Sequence, residues 1–211
     1  MPTIRKLTKE NTEKIAEYAS TVLQNGGVIL YPTDTLYALG AAIDCPHALE
    51  RIYSIKERDP KKSVSFIVAD IDMAREYIEL TPLAGILAKK FLPGPLTLIV
   101  DQKEYPRNVK VSDDGSIGMR IPNDPFCLAV ARKLGKPFTA TSANISSKTT
   151  ERSVSKILAQ LGAHSKDILL VVDAGELPTS EPSTVIDVRG EIPIFLRVGA
   201  IPKTVIMDGL A

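Results

Sequence analysis

The sequence predicts an α/β fold: one domain with a twisted mixed β-sheet and flanking helices. Three observations carry this. Short strand-forming apolar runs alternate with segments of 3.6-residue periodicity along the whole chain. Near the end, two apolar runs flank Arg189-Gly190-Glu191 and read as a β-hairpin. No Pro/Gly/Ser-rich stretch interrupts the alternation long enough to be a linker.

The elements follow in order. Asn11–Gln24 reads as a helix, with Ile15, Tyr18, Ala19, Val22 and Leu23 on one face and Gly26 ending it. Val28–Tyr31 is a short strand closed by Pro32, and Pro46–Ile55 is a helix with Leu49, Ile52 and Tyr53 inward. Ser63–Val68 reads as a buried strand, and Asp72–Ile78 and Pro82–Phe91 as helices. Thr81 before Pro82 is an N-cap with proline at the first helical position. Pro93-Gly94-Pro95 is a hard break before the strand Leu96–Val100. Ser116–Ile121 reads as a strand, Asp124-Pro125 opens a helix to Leu134, and Pro137–Thr141 is a strand. Val154–Leu161 is a helix, Ile168–Val172 a strand, and Thr184–Val188 with Ile192–Leu196 the hairpin. The expected domain is 1–211, with a core of about residues 4–200 and a short tail over 201–211.

Composition narrows the function classes. A chain of 211 residues, 44% hydrophobic and 24% charged, builds a core without staples. Two isolated cysteines, Cys45 and Cys127, exclude a disulfide scaffold and read as small apolar residues. With only His47 and His164 for company they offer no zinc spacing. No apolar run approaches the length of a membrane helix and the N-terminus has no signal-peptide pattern, so the expected setting is the cytoplasm, with no membrane. Twenty-six Lys and Arg against 25 Asp and Glu, with 11 Phe and Tyr, argue against a dedicated nucleic-acid binder.

Familiar nucleotide loops (GxxxxGK[ST], GxGxxG) are absent, so a bound nucleotide would be held by side chains. Tyr31-Pro32-Thr33-Asp34-Thr35 ends a buried strand, where α/β sheets bind ligands; ordinary turn chemistry explains it equally. Lys56 and Arg58, with Lys61 and Lys62 close behind, project together if the chain is extended there and suit a polyphosphate; cations at a helix C-terminus are the alternative. Ser142 and Asn144 share a side by the same spacing and suit ribose or phosphate oxygens, or merely cap a loop. Arg120, within Ile117-Gly118-Met119-Arg120-Ile121, demands a buried carboxylate from a ligand or from a neighbour.

Together these segments resemble the YrdC-type threonylcarbamoyl-AMP synthases. The matches are Tyr31-Pro32-Thr33-Asp34-Thr35 with Tyr37 and Gly40; Lys56-Glu57-Arg58; Pro93-Gly94-Pro95-Leu96-Thr97; Met119-Arg120-Ile121-Pro122; Ser142-Ala143-Asn144; Pro182-Ser183-Thr184; and Arg197 with Gly199. The resemblance implies a concave basic cavity and the conversion of L-threonine, bicarbonate and ATP to threonylcarbamoyl-AMP and pyrophosphate, with Mg2+ arriving on ATP. That product serves the modification of adenosine 37 in tRNA, which implies tRNA threonylcarbamoyl-transfer proteins as partners. The resemblance further implies Lys56 and Arg58 as catalytic residues; Lys56, Arg58, Lys62, Ser116, Ser142, Asn144, Thr150 and Arg197 around ATP; and Thr35, Arg120, Ser183 and the backbone near Ala140 around threonine. Ala38 departs from the family's usual glycine. Longer relatives cover the site with a second domain, so this chain is expected to close its site with its own loops or tail, or to leave it open. Two alternatives stand: a same-fold paralogue with other adenylyl or carbamoyl chemistry, and a module binding tRNA or double-stranded RNA.

Overall fold

The structure is a computed structural model that describes residues 2–60, 62, 64–103 and 114–210. Lys61 of the cation run and Ser63 of the expected strand lie outside these residues. In chain order the elements are β1 (Thr3–Lys6), α1 (Thr12–Gln24), β2 (Ile29–Tyr31), β3 (Ala38–Gly40), α2 (Pro46–Lys56), β4 (Ser65–Ile67), α3 (Ile71–Tyr77), β5 (Ile78–Glu79), α4 (Pro82–Phe91), β6 (Leu96–Gln102), β7 (Ser116–Arg120), α5 (Pro125–Leu134), β8 (Phe138–Ser142), α6 (Val154–Leu161), β9 (Leu170–Asp173), β10 (Thr184–Asp187), β11 (Ile194–Arg197) and α7 (Lys203–Asp208).

Local chemistry sets the helix starts. Thr81 accepts a hydrogen bond from Ala84 N at 3.1 Å, and Asp124 accepts one from Cys127 N at 2.8 Å, each followed by proline at the first helical position. Asp70 caps α3 in the same way through Met73 N at 2.9 Å. The strands form one mixed sheet in the order β1-β9-β2-β3-β8-β4-β7-β6-β10-β11, with β5 beside β6. β8 runs antiparallel to both of its neighbours, β3 and β4, whereas β4 and β7 are parallel, as are β6 and β10. The expected hairpin is present as β10 and β11. On one side α1 and α5 bury Ile15, Ala19, Leu23, Phe126 and Val130; α2 and α6 bury Ile52, Ile55, Ile157 and Leu161 in a separate cluster. Each of the large apolar side chains is worth about 1.5–3 kcal/mol of burial.

Four elements depart from the expectations. β1 is exposed along its length, and β5 is two residues long, so neither carries a pattern. β3 is three residues held by β2 and β8 rather than by propensity, and Ala38, where the family's glycine was expected, pairs with Tyr31 and Ser142 there. Gly40 is required in β3: a Cβ would stand 2.8 Å from Cε1 of Tyr31. Residues 201–210 of the expected short tail contain α7, whose Ile206 is buried in the core that also holds Leu96 and Ile186. Among the described residues no helix is long and apolar enough to cross a membrane.

Candidate active site

One face of seven neighbouring strands supplies the walls of a single cavity of about 270 Å³. Ala38 comes from β3, Ala140 to Ser142 from β8, Ser65 from β4, Arg120 from β7, Thr97 from β6, Val185 from β10 and Arg197 from β11; Thr33, Thr35, Arg58, Thr150 and Ser183 complete it from connecting segments. Among the described lining residues are three arginines and many hydroxyls, but no carboxylate. Such a lining is electropositive and rich in hydrogen-bond donors, which suits an anion.

Arg120, a lining residue, is 6% exposed. Its Nη2 pairs with Asp34 Oδ1 and donates to Thr35 Oγ1 at 3.0 Å. Asp34 Oδ2 accepts the Asn123 N–H at 2.9 Å. Both readings of Arg120 from sequence are thus represented: it has an internal carboxylate and it also lines the cavity, where its Nε is fully buried without a hydrogen-bond partner. Arg197 stands nearby, donating from Nε to Ser183 O at 3.0 Å and from Nη2 to Ser183 Oγ at 3.2 Å. Burial, and secondarily the Arg120 charge, lowers the Arg197 pKa. Ser183 Oγ also bonds Thr97 Oγ1 at 2.9 Å.

Arg197 reaches the cavity because of a bulge. Ile186 pairs with Phe195, yet the next residue, Val185, pairs with Arg197, which leaves Leu196 as an extra residue in β11. Phe195 consequently packs against the core while Arg197 joins Val185 at the cavity. Gly199 then passes the Pro182–Ser183 backbone so closely that a Cβ would lie 2.0 Å from Pro182 O.

Arg58, Ser142 and Thr150 also line the cavity. The spacing argument for Lys56 and Arg58 assumed an extended chain, but α2 continues through Lys56 and Glu57 takes a left-handed conformation, φ 48°. The two cations therefore diverge. Arg58 lines the cavity, and burial lowers its pKa. Lys56 is 1% exposed and is not a lining residue; its Nζ bonds Ser142 O, Asn144 O and Asn144 Oδ1, the last two at 3.0 Å. Asn144 likewise sits behind the wall, accepting from Ser142 Oγ at 2.6 Å and donating to Lys148 O at 2.6 Å. Lys56 and Asn144 thus join in one buried network beneath the turn carrying Ser142.

The other expectations divide as follows. Thr35, Arg58, Arg120, Ala140, Ser142, Thr150, Ser183 and Arg197 meet in one cavity. Lys62 is exposed and outside the lining; Ser116 is buried at the start of β7, bonded through N and Oγ to Asp114 Oδ1. Sequence reasoning missed Ser65, whose signal was a hydroxyl within the apolar run Val64–Val68. Pro182 and Ser183 line the cavity at the end of the segment 174–183, which side chains pin at several points. Tyr37 Oη donates to Gly175 O at 2.8 Å, Ser180 Oγ donates to Thr35 O at 2.7 Å, and Arg152 Nε donates to Leu177 O at 2.7 Å. Burial pushes the Tyr37 hydroxyl up to about 12, so it keeps the proton it donates. The end of this loop thereby supplies part of the lining.

Residues 21–199 match the family model described as "Telomere recombination", the Sua5/YciO/YrdC group. A "Putative threonylcarbamoyl-AMP synthase" of Methanocaldococcus jannaschii is 34% identical over 200 residues, covering 94% of this chain and 92% of that one. The crystal structure of Pyrococcus abyssi Sua5 complexed with L-threonine superposes with a TM-score of 0.88 at 28% identity, over 100% of this chain and 61% of that one, so the chain spans about three-fifths of that protein. Escherichia coli YciO superposes with a TM-score of 0.81 at 30% identity, over 94% of this chain and 96% of that one.

Proposed function

The chain belongs to the Sua5/YciO/YrdC family, and from that premise we propose that it makes threonylcarbamoyl-AMP from L-threonine, bicarbonate and ATP, releasing pyrophosphate. The observation that carries this is the meeting of Arg58, Arg120 and Arg197 on one hydroxyl-rich cavity without a lining carboxylate among the described residues.

Arg120 receives the threonine carboxylate. The hydroxyls of Thr35 and Ser183 each retain hydrogen-bonding capacity for the substrate hydroxyl beyond their protein partners. Bicarbonate condenses with the amine of threonine to give a carbamate and water. A carbamate oxygen then attacks the α-phosphorus of ATP, the bond to the β-phosphate oxygen breaks, and pyrophosphate leaves. Charge accumulates on phosphate oxygens, which Arg58 stabilises while Ser142 and Thr150 orient the nucleotide. Lys56 and Asn144 act one layer back by holding the Ser142 turn. Magnesium enters with the triphosphate as part of the substrate. The mixed anhydride is then passed, in the cytoplasm, to the proteins that transfer threonylcarbamoyl to adenosine 37 of tRNA.

The test is pyrophosphate release from ATP. Release that requires both L-threonine and bicarbonate is expected. Release indifferent to threonine, or driven by another acid, would place the chain among same-fold paralogues.

A further inference from the structure

We infer that Asp34 is a positioning residue that fixes Arg120 so that part of its guanidinium remains available to a single carboxylate; this rests on the reading that the cavity binds L-threonine. Asp34 is itself outside the cavity lining, with a side chain 11% exposed. Its two oxygens do different work. Oδ1 holds Nη2 of Arg120, and Oδ2 is anchored by the backbone N–H of Asn123, three residues after Arg120 in the same chain segment. Thr35 Oγ1 takes the other hydrogen of Nη2 at 3.0 Å. Nη2 is thus fully committed, whereas Nη1 and Nε bond nothing among the described residues. A guanidinium held by one terminal nitrogen cannot rotate about its Nε–Cζ bond, so its remaining donors keep one direction.

The charges are consistent with that role. Arg120 and Arg197 bring two neighbouring positive charges to the cavity, and Asp34 cancels one behind the wall. One net positive charge remains for one substrate carboxylate. Asparagine in place of Asp34 cannot preserve this arrangement. Its oxygen can face Arg120 or Asn123 N–H but not both, and its amide then presents a donor to a donor.

Two measurements test the inference. In wild-type protein, side-chain 15N NMR of arginine is expected to show Arg120 with separately resolved Nη signals, the mark of restricted rotation. In Asp34→Asn those signals merge. In the pyrophosphate assay, Asp34→Asn is expected to raise the threonine KM about ten- to a hundredfold, with the ATP KM and the turnover at saturating threonine within about twofold of wild type. Averaged Arg120 signals in the wild type overturn the inference without any variant, so it stays decidable if Asp34→Asn does not fold. An unchanged threonine KM overturns it, and so does an ATP KM that rises in parallel. If the wild type releases no threonine-dependent pyrophosphate, the functional reading fails while the spectrum still decides whether Asp34 holds Arg120.

Discussion

Lys56 places a titratable ammonium in a site 1% exposed, surrounded by three oxygen acceptors. Burial, with the Arg58 charge second, pushes its pKa from 10.5 down to about 7. The perturbation is Lys56→Met, which keeps the length and removes the charge. In the unfolded chain the lysine holds its proton up to its ordinary value. Between pH 7 and 10.5 the unfolded state therefore binds more protons than the folded state, and wild-type stability rises with pH across that window. The cost of the buried charge is present in full below pH 7. One proton of difference changes the folding equilibrium about tenfold per pH unit. Urea unfolding of both proteins between pH 6 and 9.5 isolates the effect, because the methionine variant shares every other titration. The wild-type advantage over Lys56→Met is expected to grow by roughly a hundredfold between pH 7.5 and 9.5. Parallel stability curves would refute the reasoning; they would mean that the three oxygens keep Lys56 charged throughout.

Arg58→Ala is expected to lower turnover in the pyrophosphate assay by about 10²–10³, the scale of one transition-state stabiliser; a near-normal rate in the folded variant removes it from that role. Valine is expected to be a worse substrate than serine, because it leaves the Thr35 and Ser183 hydroxyls facing a methyl group, whereas serine loses only a methyl, about 10- to 200-fold in kcat/KM. The reverse order would show that the substrate hydroxyl is not read. Gly199→Ala drives a Cβ to 2.0 Å from Pro182 O, so it should lower the Tm and raise the threonine KM together by displacing Ser183. A KM that stays put would mean that the 182–183 backbone yields without moving the site.

Where local chemistry decides, the sequence was readable. α4 begins and ends at Pro82 and Phe91, and α5 at Pro125 and Leu134, because threonine or aspartate caps and N1 prolines act within a few residues. β3 was invisible because its strand character is conferred by partners: Leu39 pairs with Leu30 on one side and with Thr141, over a hundred positions away, on the other. Seven of the expected site residues, Thr35, Arg58, Arg120, Ser142, Thr150, Ser183 and Arg197, line one cavity. Their division of labour was not readable. A single left-handed residue, Glu57, turns Lys56 inward and Arg58 toward the cavity, and no spacing rule for regular structure anticipates it. Asp34 was singled out as a pocket residue and instead stands behind the wall, because the arginine it pairs with lies on a strand 86 positions away.

The extra residue in β11 makes the direction of Arg197 a matter of counting. In a regular strand, side chains two apart share a face, so Phe195 and Arg197 would enter the same compartment, and one of them would be in the wrong solvent. Leu196 resolves that conflict by occupying a position with no partner on β10. It is 59% exposed, so its own identity carries little, and replacement by a polar residue should be tolerated. Deleting it would leave Phe195 and Arg197 adjacent in a regular strand, on opposite faces and still opposite Ile186 and Val185, so the direction of Arg197 should survive that change too. What the hairpin cannot accommodate is Leu196 taking up regular pairing with Val185, which would carry Arg197 to the core face beside Phe195.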